Sequence, residues 1–86
     1  MKITPLQHLL LSKIKPLAEV RQALGVHRIA LWQWSRGVGF PKRLNVEKLI
    51  EFYGPERLDY NGCFVPSVEI TEEQARLFGL LNARVN

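Results

Sequence analysis

The chain has 86 residues, 47% of them hydrophobic, which makes one small domain with enough apolar surface for a core and no room for a large enzyme pocket. Its one cysteine, Cys63, excludes an intrachain disulfide and any zinc site built on several thiols. The net charge of +4 is unevenly spread: residues 1–43 hold eight Lys and Arg against one acid, net +7, and residues 44–86 hold four against seven, net −3. A basic half beside an acidic one suits a polyanionic partner. No apolar run is long enough to span a membrane, and Pro5, Gln7 and His8 interrupt any signal-peptide core, so a reducing cytoplasm is the expected setting.

The elements follow in chain order. Thr4-Pro5-Leu6-Gln7 is a helix start, with Thr4 as N-cap, Pro5 in the first turn and Gln7 closing a capping box; Leu6, Leu9 and Leu10 share one face. Lys13-Ile14-Lys15 reads as a connector, because the residue before Pro16 avoids helical geometry. A second helix runs from Leu17 to Leu24, ended by Gly25 in the left-handed conformation. A third is expected from His27 to Ser35, then a loop through Gly37 and Gly39. Pro41 is expected to open a fourth helix, with Leu44, Val46, Leu49, Ile50 and Tyr53 at helical spacing and Gly54-Pro55 as its stop. Asn61-Gly62 between two short β-prone runs predicts a hairpin, with Pro66 confining its second strand to an edge. Thr71-Glu72-Glu73-Gln74 repeats the capping box and starts a last helix carrying Ala75, Leu77, Phe78 and Leu81.

Two short helices joined by a glycine turn form the pattern of a helix-turn-helix. Val20 and Leu24 lie on one side of the first, Val26 plugs the corner, and Leu31 and Trp34 pack the next helix against it. His27, Arg28, Ile29, Trp32, Gln33 and Arg36 fall on the opposite face. Such a face suits base readout, with Arg28 chelating guanine O6 and N7 and Gln33 pairing with adenine N6 and N7. His27, Ile29 and Trp32 complete the candidate base contacts, and His27, at the helix N-terminus, can also reach a phosphate oxygen. Trp32 lies about 200° from Trp34 around the helix, so it either packs on the Gly37–Phe40 loop or meets a thymine methyl. Lys15, Arg36, Lys42 and Arg43 are the candidate phosphate contacts.

Leu24-Gly25-Val26 followed by Leu31-Trp32-Gln33-Trp34 resembles the phage Cro and prophage Cro-like helix-turn-helix regulators. In that family a Leu-Gly-Val turn precedes an apolar-x-Gln-Trp recognition helix. Arg36-Gly37, the Pro41 segment and the amphipathic helix after it are similar to the family's continuation, so the likeness spans roughly residues 4–54. It implies a small DNA-binding phage or prophage repressor, often dimeric, with His27, Arg28, Gln33 and Arg36 at recognition positions. Arg21 stands where the family usually has alanine, so it must reach out past the third helix or the helix crossing must open.

The fold class expected is therefore mainly α: a Cro/λ-repressor-like helix-turn-helix domain over residues 1–54, with a C-terminal β-hairpin and extra helix over 55–86 as a dimerisation element packed on the same domain. The apolar residues of 1–54 suffice to fill a four-helix core, leaving Phe64, Leu77, Phe78, Leu81 and Val85 to share between that core and a second copy. The partners expected are double-stranded operator DNA and a second copy of the chain, with no membrane and no small-molecule ligand. His8, His27 and Cys63 lack the companions that metal binding or nucleophilic catalysis needs, and Glu72-Glu73 suits the first turn of a helix, so no metal, cofactor or enzymatic activity is expected. Two further functions fit the same pattern: a recombination directionality factor that bends attachment-site DNA, and a protein-interaction module such as an antitoxin.

Overall fold

The computed structural model describes residues 1–81; Val85 lies outside the described residues. In chain order these form β1 (Lys2–Ile3), α1 (Pro5–Leu11), α2 (Leu17–Leu24), α3 (Arg28–Arg36), α4 (Arg43–Tyr53), a 3-10 turn (Asn61–Cys63), β2 (Val68–Glu69) and α5 (Glu72–Leu77). The protein is thus mainly helical with one small two-stranded antiparallel sheet. No helix among the described residues is long and apolar enough to cross a membrane.

Local chemistry accounts for the helix ends. Thr4 Oγ1 accepts from Gln7 N at 3.0 Å while Thr4 N donates to Gln7 Oε1 at 2.9 Å, a complete capping box; Thr71 and Gln74 repeat it at the start of α5. Gly25, at φ 70°, ends α2, and Lys48 Nζ donates to the Leu24 carbonyl at 3.5 Å, tying α4 to that terminus. Pro41 does not open α4 as expected: Lys42 is the N-cap, and Arg43 is the first helical residue.

The core follows the apolar periodicity of the first four helices. Leu6, Leu9 and Leu10 from α1, Val20 and Leu24 from α2, Leu31 and Trp34 from α3, and Val46, Leu49 and Tyr53 from α4 are all buried together. α3 packs chiefly on α1, and α2 on α4, rather than the third helix resting mainly on the second. Val26 is half-buried against this core, filling the corner as expected. Leu58 and Cys63 join the same cluster, so the core runs past residue 54 and residues 1–54 do not fill it alone.

The two strands are not the pair predicted around Asn61-Gly62. Lys2 pairs with Glu69 and Ile3 with Val68, joining the N-terminus to the tail. A tight hairpin turn needs left-handed residues at its centre, and neither Asn61 nor Gly62 has positive φ. Asp59 Oδ1 accepts instead from Gly62 N at 2.7 Å, and the chain turns through successive i+3 hydrogen bonds. Gly62 is there for space: a methyl on it would stand 3.1 Å from Leu58 Cδ1 and 3.3 Å from Pro5 Cβ. A second, smaller core forms from Ile3, Ile70 and Ala75, with Leu11, Phe78 and Leu80 packed against it.

Candidate functional site

The turn between α2 and α3 sets the site. After left-handed Gly25, His27 stays extended and caps α3, its Nδ1 accepting from Ile29 N at 3.1 Å. An acceptor at Nδ1 places the ring proton of neutral His27 on Nε2, which leaves a donor on an exposed ring. At 100° per residue, α3 then divides into two stripes. Leu31 and Trp34, 3% and 6% exposed, face the core; Arg28, Ile29, Trp32 and Gln33 face solvent, Ile29 and Trp32 each at 56%.

Gln7 sets the position of α3 against α1. This buried side chain closes the α1 capping box and also donates from Nε2 to the Ser35 carbonyl at 3.1 Å, near the end of α3. Its role as a cap is legible in the sequence; its reach across to α3 is not. Beyond α3 the loop returns over Gln33, since a methyl at Gly39 would come within 3.1 Å of Gln33 Cβ. The loop therefore packs on Gln33, while Trp32 borders a groove with α1, α2 and α5, and the Arg36 guanidinium lies 5.6 Å from its ring centre.

The four candidate phosphate contacts separate into two pairs. Lys42 and Arg43 are exposed at the start of α4, Arg43 with only a loose ion pair to Glu47 at 3.6 Å. Lys15 and Arg36 are half-buried and each has a partner within the molecule. The ammonium of Lys15 sits 5.0 Å from the centre of the Phe52 ring. Arg36 Nη1 donates to the carbonyls of Gly79 and Phe78, the latter at 3.4 Å, so it closes the C-terminal end of α5. For Arg36 the cause is the fold of the tail, which brings carbonyls at the α5 terminus to the last turn of α3.

The expected dimer residues divide likewise. Phe64 packs on the main core between Phe40 and Tyr60, with ring centres 5.9 and 5.2 Å away, and Phe78 packs on the smaller core. Leu77 and Leu81 remain exposed, at 80% and 37%. Beside the outward stripe of α3 lies a groove of about 510 Å³, formed by the end of α1, the first turns of α2, and the end of α5. Arg21 reaches its wall from α2 and is exposed, so the arginine passes outward beside α3.

Cys63 and Tyr53 have no place in this site. Burial, with the neighbouring Asp59 charge, pushes the Cys63 thiol up to about 11, and burial pushes the Tyr53 phenol up to about 12. In comparisons with protein-family models, with curated proteins and with solved structures, nothing matches this chain.

Proposed function

We propose that this protein is a sequence-specific regulator that binds double-stranded DNA and lays α3 in the major groove, as a Cro-like phage or prophage repressor does. The observation that carries the reading is the division of α3, behind the Gly25 turn, into a buried Leu31/Trp34 stripe and an exposed Arg28/Ile29/Trp32/Gln33 stripe. In this reading Arg28 takes a guanine edge, Gln33 an adenine edge, and Ile29 and Trp32 supply apolar surface for a thymine methyl. His27 Nε2–H, Lys42 and Arg43 hold phosphates. Lys15 and Arg36 already have partners inside the molecule and contribute little.

One recognition helix reads only a few base pairs, too few to select a site among a genome's competitors. Two copies on half-sites about 10 base pairs apart supply the missing specificity. Leu77 and Leu81 are the expected dimer residues that still face solvent. The place of action is the cytoplasm, on the nucleoid.

Selection of binding sites from random duplexes, followed by salt titration, tests the reading. Arg28→Ala and Gln33→Ala should each relax specificity at one base pair by about 1–3 kcal/mol. Lys42→Ala and Arg43→Ala should weaken binding to every sequence and lower the salt slope by about one each. Failure to bind duplex DNA at low salt, or equal losses for all four variants on selected and random DNA, overturns it. Sedimentation on and off DNA checks the two-copy stoichiometry.

A further inference from the structure

The groove beside α3 has a lining of its own kind. Its floor is apolar, made by Leu10, Leu11, Leu17, Trp32 and Phe78 from four separate helical segments. Lys13, Arg21, Arg28 and Arg36 also line it, and among the described residues no acidic one does. Among the described residues Lys13, Arg21 and Arg28 form no ion pair, while the acids that do pair, Glu47, Glu69 and Glu72, lie outside the groove. About 510 Å³ is the size of a site for a single small molecule, and such sites are mostly apolar with a few placed polar groups.

We infer that this groove binds an amphiphilic anion, an acyl or aryl chain bearing one carboxylate or phosphate, with the chain on the Leu11–Leu17–Phe78 floor and the anion at Arg21 and Arg28. Charge complementarity selects the headgroup: an anion gains contacts with Arg21 and Arg28, which form no ion pair among the described residues, whereas a cationic amphiphile meets four like charges. The apolar floor selects the body, because each buried methylene contributes by the area removed from water. Trp32 lines the groove and Trp34 is buried in the core, so only one of the two indoles meets the ligand. The site rests on its lining alone. Where α3 also binds DNA, ligand and DNA compete for Arg28 and Trp32.

Titration of the isotopically labelled full chain without DNA tests the site, with decanoate and decyl phosphate as probes and decanol and decyltrimethylammonium as controls. The expected result is saturable movement of the Trp32 indole N–H and of the amides around Leu17 and Arg21 with both anions, the Trp34 indole staying in place. Decanol should bind roughly tenfold more weakly than decanoate, and Arg21→Gln should weaken the anions by a similar factor, the effect of one charge-assisted contact. Equal binding by decanol or the cationic probe overturns the inference, as does the absence of a saturable response to either anion. So does saturation by an acidic amphipathic peptide with decanoate inert, which would make the groove a protein-docking surface. Because no DNA is present, failure here leaves the DNA reading standing, and loss of DNA binding leaves the groove standing.

Discussion

Two tryptophans two positions apart in one helix have opposite duties. Trp34 is 6% exposed inside the main core and Trp32 is 56% exposed beside the groove. Trp34→Ala should therefore cost about 3–5 kcal/mol, enough to unfold most of a domain this small, while Trp32→Ala should leave the urea midpoint nearly unchanged. A reversed result would mean that α3 is rotated and that Arg28 and Gln33 do not face outward. Two glycines make a second contrast. Gly25 has φ 70° and nothing within 4 Å of where a methyl would stand, so only its backbone conformation matters. Gly25→Asn should be close to neutral, and Gly25→Ala should cost about 1–2 kcal/mol. Gly62 has no such φ but sits between Leu58, Asp59 and Pro5, so Ala and Asn should both destabilise there, through crowding. Urea titration of the four variants separates the two causes.

Among the elements, α5 is the weakest and the most dependent on its surroundings. It has six residues and buries only Ala75, too few to persist as an isolated helix. Its capping box closes one end and Arg36 the other, and Phe78 docks it on the core that holds Ile3 and Ile70. Arg36→Ala should raise amide exchange at residues 75–81 well above the rest of the molecule, with α1–α4 protected as before. If exchange rises everywhere instead, Arg36 supports the main core and not the α5 terminus. α3 rests on a comparable cross-link: Gln7 Nε2 meets the Ser35 carbonyl, so the helix that carries the candidate site is positioned by a side chain of α1.

For the molecule as a whole, the two buried acidic groups set the response to alkali. Folding raises Cys63 from 9.0 to about 11 and Tyr53 from 10.0 to about 12. Below pH 9 both groups are neutral in folded and unfolded chains alike, and their contribution is fully present. Above pH 9 the unfolded chain releases the Cys63 proton first and the Tyr53 proton next, while the folded chain holds both, so stability falls as pH rises through 11 and 12. Denaturation midpoints from pH 8 to 12 should decline from about pH 9, with a shallower decline in Cys63→Ser and Tyr53→Phe. Cys63 is 1% exposed, so native protein should also resist alkylation at pH 8 until denaturant is added. Rapid labelling of the native chain would show that the segment around Cys63 opens locally, without global unfolding. The burial of Leu58 and Cys63 in the main core ties these measurements to the whole chain.

Most of the helical scaffold is legible from residue order, because its signals are local. The Thr4 and Thr71 capping boxes, the Gly25 stop, the span Leu17–Leu24 and the buried stripe through Leu31 and Trp34 each depend on residues within a few positions of one another. The outward stripe of α3 is legible for the same reason, since a 3.6-residue period that buries one face exposes the other. The hairpin failed because Asn61-Gly62 is ambiguous locally: the same dipeptide suits a left-handed turn or a place where Leu58 and Pro5 press on the backbone. The strand pair that did form joins residues more than sixty positions apart through two residues each, too short to carry a period. Arg36 and Lys15 look like free surface cations in sequence, and their partners, the α5 carbonyls and Phe52, come from distant segments. The groove has no sequence signal at all, since four segments must meet before Leu11, Arg21, Trp32 and Phe78 share a wall. Local backbone preferences are written in short stretches of sequence, whereas partners, cavities and relief from solvent arise only when remote segments pack together.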